Sequence, residues 1–71
     1  MHAAKLSKSE RLIRVLALLK DRRWHSTWEI MQKARVCAVN SIAAELRANG
    51  KAIVCKQRYT GRAMVWEYRL G

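Results

Sequence analysis

A chain of 71 residues holds one domain at most and buries only about 60 to 65 % of the surface its unfolded form exposes, which excludes a large catalytic cleft set in a thick core. A hydrophobic fraction of 51 %, with three Trp and two Tyr, is too high for a disordered chain. Fifteen Lys and Arg against five Asp and Glu leave a formal net charge of +10, a self-repulsion that a polyanion relieves.

Nucleic acid is the most economical polyanion, because each phosphate neutralised by Lys or Arg releases condensed counterions. An anionic membrane or an acidic protein is the competing partner for such a charge. The longest apolar run, Val15 to Leu19, falls far short of the roughly 20 residues of a membrane span, and Met1 to Ser9 lacks the apolar stretch of a signal peptide. The expected location is the cytoplasm of a bacterial cell or a phage-infected host, at the nucleoid, with no membrane partner. Cys37 and Cys55 have no CxxC spacing, and His2 and His25 complete no familiar ligand set with them. No metal, no cofactor and no disulfide are expected, and the thiols read as buried or half-buried.

Pro is absent and no repeat or linker interrupts the chain, so residues 1–71 read as a single domain with residues 1–6 flexible. Ser7-Lys8-Ser9-Glu10 has the form of a capping box. A first helix follows, with Leu12, Ile13, Val15, Leu16 and Leu19 as its apolar stripe and an end near Asp21. Asp21-Arg22-Arg23 reads as a turn, and Trp24-His25 as an isolated extended stretch. Ser26-Thr27-Trp28-Glu29 is a second capping box that starts a short helix from Thr27 to Ala34, with Ile30, Met31 and Ala34 inward. Arg35-Val36-Cys37 breaks the period.

A third helix spans Ala38 to Asn49. Val39, Ile42, Ala43 and Leu46 fit i, i+3, i+4, i+7, Asn40, Ser41, Ala44, Arg47 and Ala48 point outward, and Gly50 is the natural left-handed stop. After Gly50 the period falls to two. Ile53 and Cys55 alternate with Val54 and Lys56, and Met64, Trp66, Tyr68 and Leu70 alternate with Val65, Glu67 and Arg69, which predicts a β-hairpin turned at Tyr59-Thr60-Gly61-Arg62.

Two capped helices joined by a short turn, the second longer and amphipathic, form a helix-turn-helix. The hairpin behind them makes an α+β winged helix-turn-helix, three helices followed by a C-terminal wing. The stretch Val36-Cys37-Ala38-Val39-Asn40-Ser41-Ile42-Ala43-Ala44-Glu45-Leu46-Arg47-Ala48-Asn49-Gly50, with Ile53 and the closing Val65-Trp66-Glu67-Tyr68-Arg69-Leu70, resembles a family of small winged-helix proteins encoded by bacteriophages and prophages. Glu45, Leu46, Arg47, Gly50 and Ile53 match its Glu-Leu-Arg-x-x-Gly segment and the apolar strand residue that follows. The resemblance covers most of the chain from Leu12 onward and implies binding to double-stranded DNA. It departs at Ile42, where such recognition helices often carry Arg.

The candidate DNA-binding residues are Thr27 and Arg35 at the ends of the second helix, Asn40, Ser41 and Arg47 on the third, and Lys56, Arg58 and Arg62 on the wing. Asn reads adenine, Arg reads guanine, and Ser serves either role. The three wing cations are expected to converge on one hairpin tip beside Tyr59. The plainer reading makes Asn40 and Ser41 solvent-facing and Arg47 a surface pair or a helix C-cap. Lys5, Lys8, Arg11, Arg14, Lys20, Arg22 and Arg23 read as a solvated face, Trp66 and Tyr68 as core under the wing, and Trp28 as half-exposed. With about three reading side chains per copy, a homodimer on a two-fold site doubles the discrimination.

Three functions compete: a phage or mobile-element transcription regulator, an excisionase-like architectural factor that bends DNA, and a small protein that inhibits a host protein by direct binding. No Ser-His-Asp, Cys-His, paired-carboxylate or phosphate-loop arrangement is present, so no catalytic residue is expected and the chain does not read as an enzyme.

Overall fold

The computed structural model describes residues 9–71. The expectation for residues 1–6 and the Ser7 end of the first capping box lie outside them. Three helices and a small three-stranded antiparallel sheet follow one another as α1 (Glu10–Leu19), β1 (His25–Ser26), α2 (Thr27–Ala34), α3 (Val39–Ala48), β2 (Ile53–Tyr59) and β3 (Met64–Leu70). The class is α+β, and the sheet order is β1-β3-β2.

Within the described residues Ser9 is the N-cap of α1, its Oγ accepting from the Leu12 amide at 3.5 Å. Leu12, Val15 and Leu19 are buried along one face, with Leu16 and Leu18 partly buried beside them. Ile13, expected in that stripe, is exposed, because a residue next to Leu12 is turned about 100° away from it.

Ser26 caps α2, its Oγ accepting from the Glu29 amide at 3.0 Å. Only half of the expected box forms, since the Glu29 carboxylate turns instead to His25 and Lys33. The last carbonyls of α2 are met from a distance: Arg14 Nε donates to the Ala34 carbonyl at 2.8 Å and its Nη2 to that of Arg35 at 3.4 Å. A guanidinium there complements the negative end of the helix. Arg35 itself takes a left-handed conformation, φ 54°, which swings the chain into the turn 35–38.

In α3 the predicted inner residues, Val39, Ile42, Ala43 and Leu46, are all buried. The helix stops in a Schellman arrangement, with the Lys51 amide on the Leu46 carbonyl, the Gly50 amide on that of Arg47, and Gly50 at φ +82°.

Trp24-His25 is not isolated. His25–Ser26 pairs with β3, placing His25 opposite Tyr68 and Ser26 opposite Glu67. Two residues suffice because the outer edge of β3 would otherwise leave backbone donors and acceptors unpaired.

The register of β2 and β3 decides what each face of the sheet carries. Ile53, Cys55, Gln57 and Tyr59 stand opposite Leu70, Tyr68, Trp66 and Met64, and strand alternation puts all eight on one face. The inner end of that face, with Ile53 and Tyr68, closes the core against the three helices. Val54, Lys56 and Arg58 with Arg69, Glu67 and Val65 turn the other way.

Candidate nucleic-acid interface

A cleft of about 480 Å³ lies between α3 and the hairpin. One wall is α3, through Asn40, Ala43 and Arg47, and the opposite wall is the hairpin, through Cys55 and Trp66. Thr27, at the start of α2, and Cys37, in the turn, close the end. Thr27 is fixed there because its Oγ1 donates to the Trp66 carbonyl at 3.2 Å. Three candidate residues separated in sequence, Thr27, Asn40 and Arg47, therefore share one concavity.

Arg47 does more than line it. Its Nε donates to the Ile53 carbonyl at 2.9 Å and its Nη2 lies 3.8 Å from Cys55 Sγ, so the side chain ties α3 to the root of β2. Neither the surface pair nor the helix C-cap expected from sequence forms. The cap is made by Asn49, whose Nδ2 donates to the Glu45 carbonyl at 2.8 Å. Arg47 still lines the cleft together with Asn40. Ser41 and Ala44 are exposed on the outer ridge of α3, and Arg35 is exposed in the turn beside it.

The hairpin cations do not converge on a tip. Arg62 is in the loop 60–63, which is closed by the Thr60 amide and hydroxyl on the Ala63 carbonyl and lets Gly61 adopt φ +89°. Lys56 and Arg58 lie back along β2 on the face turned away from the cleft, where both approach Glu67, at 3.9 Å and 3.4 Å. The cause is the period of the strand: positions 56 and 58 share a face with Glu67, and the cleft takes position 55.

The cleft side of the hairpin is therefore uncharged. Trp66, expected in the core with Tyr68, is 42 % exposed, because the sheet extends past the helices and only its inner end is covered. Cys37 and Cys55, expected buried or half-buried, are both exposed free thiols at the cleft. Trp28 on α2, expected half-exposed, is more open than that, at 67 %.

The strongest electrostatic cluster is one that sequence reading missed. His25 is buried between two carboxylates, its Nδ1 2.6 Å from Glu29 Oε2 and its Nε2 2.9 Å from Asp21 Oδ1. Burial alone pushes the His25 pKa down, but the two hydrogen-bonded carboxylates outweigh it and hold the imidazole above its ordinary value. The His25 hydrogen bond in turn holds Asp21 and Glu29 below the usual carboxylate range. With His25 buried and its two carboxylates partly exposed, this cluster joins the turn after α1 to the first turn of α2. Carboxylates four residues to either side of a histidine were the available signal.

Family models, curated proteins and solved structures give no match to this chain. The functional reading accordingly stands on the cleft, the outer ridge of α3 and the charge. Among the described residues no three His, Cys, Asp or Glu gather as a metal site, and no helix is long and apolar enough to cross a membrane.

Proposed function

We propose that this chain is a winged-helix DNA-binding protein, a regulator of the kind carried by phages and mobile elements, in which α3 enters the major groove of a double-stranded site. The observation that carries the reading is the exposed ridge of α3 standing beside a cleft whose far wall is the hairpin. Such an arrangement admits the sugar-phosphate ridge of one strand while the helix beside it reaches base edges. Asn40 and Ser41 read base edges, and Thr27 and Arg47 flank the backbone in the cleft. Arg35 meets a phosphate at the turn, and Arg62 extends from the tip toward the next phosphates or the minor groove.

Readout by so few side chains limits discrimination, at about 1 to 3 kcal/mol for each good base contact. Selection from randomised duplexes at physiological salt tests the proposal, with an enriched motif bound at least about 10³-fold more tightly than bulk DNA as the expected result. A selection that enriches no motif overturns the regulator.

The hairpin tip favours a second reading, an excisionase-like architectural factor. Tyr59 and Met64 form a cross-strand pair next to the loop that holds Arg62, and they are 79 % and 45 % exposed. An apolar pair beside a cation is the equipment of a wedge that unstacks a base step and kinks the duplex. Circularly permuted probes separate the two readings, because a mobility minimum at the site marks bending and uniform mobility marks simple occupancy.

A further inference from the structure

The face of the sheet turned away from α3 has chemistry that a single DNA-bound helix leaves unused. Lys56 and Arg58 on β2 and Arg69 on β3 share this face with one carboxylate, Glu67. Its contacts with Lys56 and Arg58, at 3.9 Å and 3.4 Å, are loose, and both cations stay about half-exposed, at 46 % and 57 % of their side chains. Trp24 lies under them as a platform, with Lys56 Nζ 4.3 Å and the Arg69 guanidinium 5.3 Å from the ring centre. A ring face holds cations in place without cancelling their charge. Arg69 Nε is buried with no hydrogen-bond partner among the described residues, so no anion there neutralises its charge. Immediately before Trp24 the chain adds exposed Arg22 and Arg23.

We infer that this face is a second DNA surface, seating the phosphate backbone of another duplex segment so that one molecule holds two segments at once. The inference rests on the reading of α3 as the helix that engages the first segment. Charge complementarity selects the occupant. Three cations against one carboxylate on a flat β-face, without an apolar pocket or a groove-reading helix, suit a regular row of phosphates and offer nothing to a base edge. Binding on this face is therefore indifferent to sequence and steeply dependent on salt, in contrast to that of α3.

The test uses the full chain with two duplexes, one immobilised on beads and one fluorescent, in a capture assay at low salt, alongside anisotropy titration of each duplex alone. The expected result is protein-dependent capture of the fluorescent duplex that falls at least about tenfold in K56Q/R58Q, while single-duplex affinity for a selected site changes by less than about threefold, since one or two lost phosphate contacts act mainly where they sit. Circular dichroism of the variant verifies its fold, and K56R/R58K, which keeps both charges, retains capture. Single-duplex binding without capture overturns the inference and leaves the proposed function standing. Loss of both in equal proportion assigns the two cations to the α3 surface and overturns it as well. Capture that survives in K56Q/R58Q overturns the inference and points to a dimer presenting two α3 helices. If polyglutamate binds this face at the salt at which no second duplex is captured, an acidic protein is its partner instead. Absence of binding to any single duplex overturns the proposed function itself.

Discussion

His25 Nδ1 stands 2.6 Å from Glu29 Oε2, the shortest side-chain contact among those that link β1 to α2. Asp21 on the other ring nitrogen makes both N–H groups of the protonated ring donors to carboxylates. A histidine whose folded pKa is raised above its ordinary 6.5 contributes stability that is fully present below that value and lost as pH climbs through the folded one. Asp21 and Glu29, held below their ordinary 3.8 and 4.5, contribute stability that is present above those values and lost as pH falls through the folded ones. The melting temperature is therefore expected to be highest between about pH 5 and 6.5 and to decline on both sides. In His25→Gln the decline on the alkaline side disappears. Thermal melts followed by circular dichroism from pH 4 to 9 check this, and an alkaline slope unchanged by the substitution would refute the assignment.

Ser26→Ala removes the hydroxyl that accepts from the Glu29 amide at the start of α2. Loss of a good N-cap costs about 1 kcal/mol, which in a domain of this size lowers the melting temperature by about 4 to 8 °C. Chemical denaturation should show the lower midpoint with an unchanged slope.

Leu46 is fully buried where α3 meets the core. Leu46→Ala leaves a cavity and is expected to cost about 2 to 5 kcal/mol, a large share of what so small a domain holds. Urea titration reads the loss directly, and a variant that melts like the parent would show that the α3 packing described above is wrong.

Asn40→Ala should leave the melting temperature unchanged, because the residue is exposed and its side chain has no hydrogen-bond partner among the described residues. On a selected duplex it should weaken binding by about 1 to 3 kcal/mol and relax preference at one base pair. Arg62→Ala is expected instead to weaken binding to all duplexes alike and to lower the slope of log affinity against log salt by about 1. Anisotropy titrations at several salt concentrations distinguish the two effects.

The helices were legible because their signals are local. The Ser26 cap, the i, i+3, i+4, i+7 run from Val39 to Leu46 and the Gly50 stop each lie within a few residues, and each formed, the Ser26 box through its hydroxyl half alone. The hairpin and its alternation were legible for the same reason. The His25 cluster escaped although its carboxylates lie only four residues away on either side, and the rest of what escaped was set by pairs distant in the chain. His25–Ser26 becomes a strand only because β3 lies beside it, and Arg14 becomes the cap of α2 only because α1 crosses its end. Strand alternation alone places Lys56 and Arg58 on one face and Trp66 on the other, but which face meets α3 depends on how the sheet docks. That docking put the cations opposite to where a count of wing charges had placed them.

Finally, β3 is the central strand of the sheet and follows both of its partner strands in the sequence. Every ladder in the sheet includes it, and the β1 ladder pairs His25 with Tyr68 across more than half the sequence. During synthesis the three helices can form as they leave the ribosome, whereas no sheet exists until β3 has cleared the exit tunnel. Until then the edges of Ile30 and Leu46 that face Tyr68 and Ile53 remain wet. Folding should accordingly be limited by one late, long loop closure, slower than expected for a helical protein of the same length.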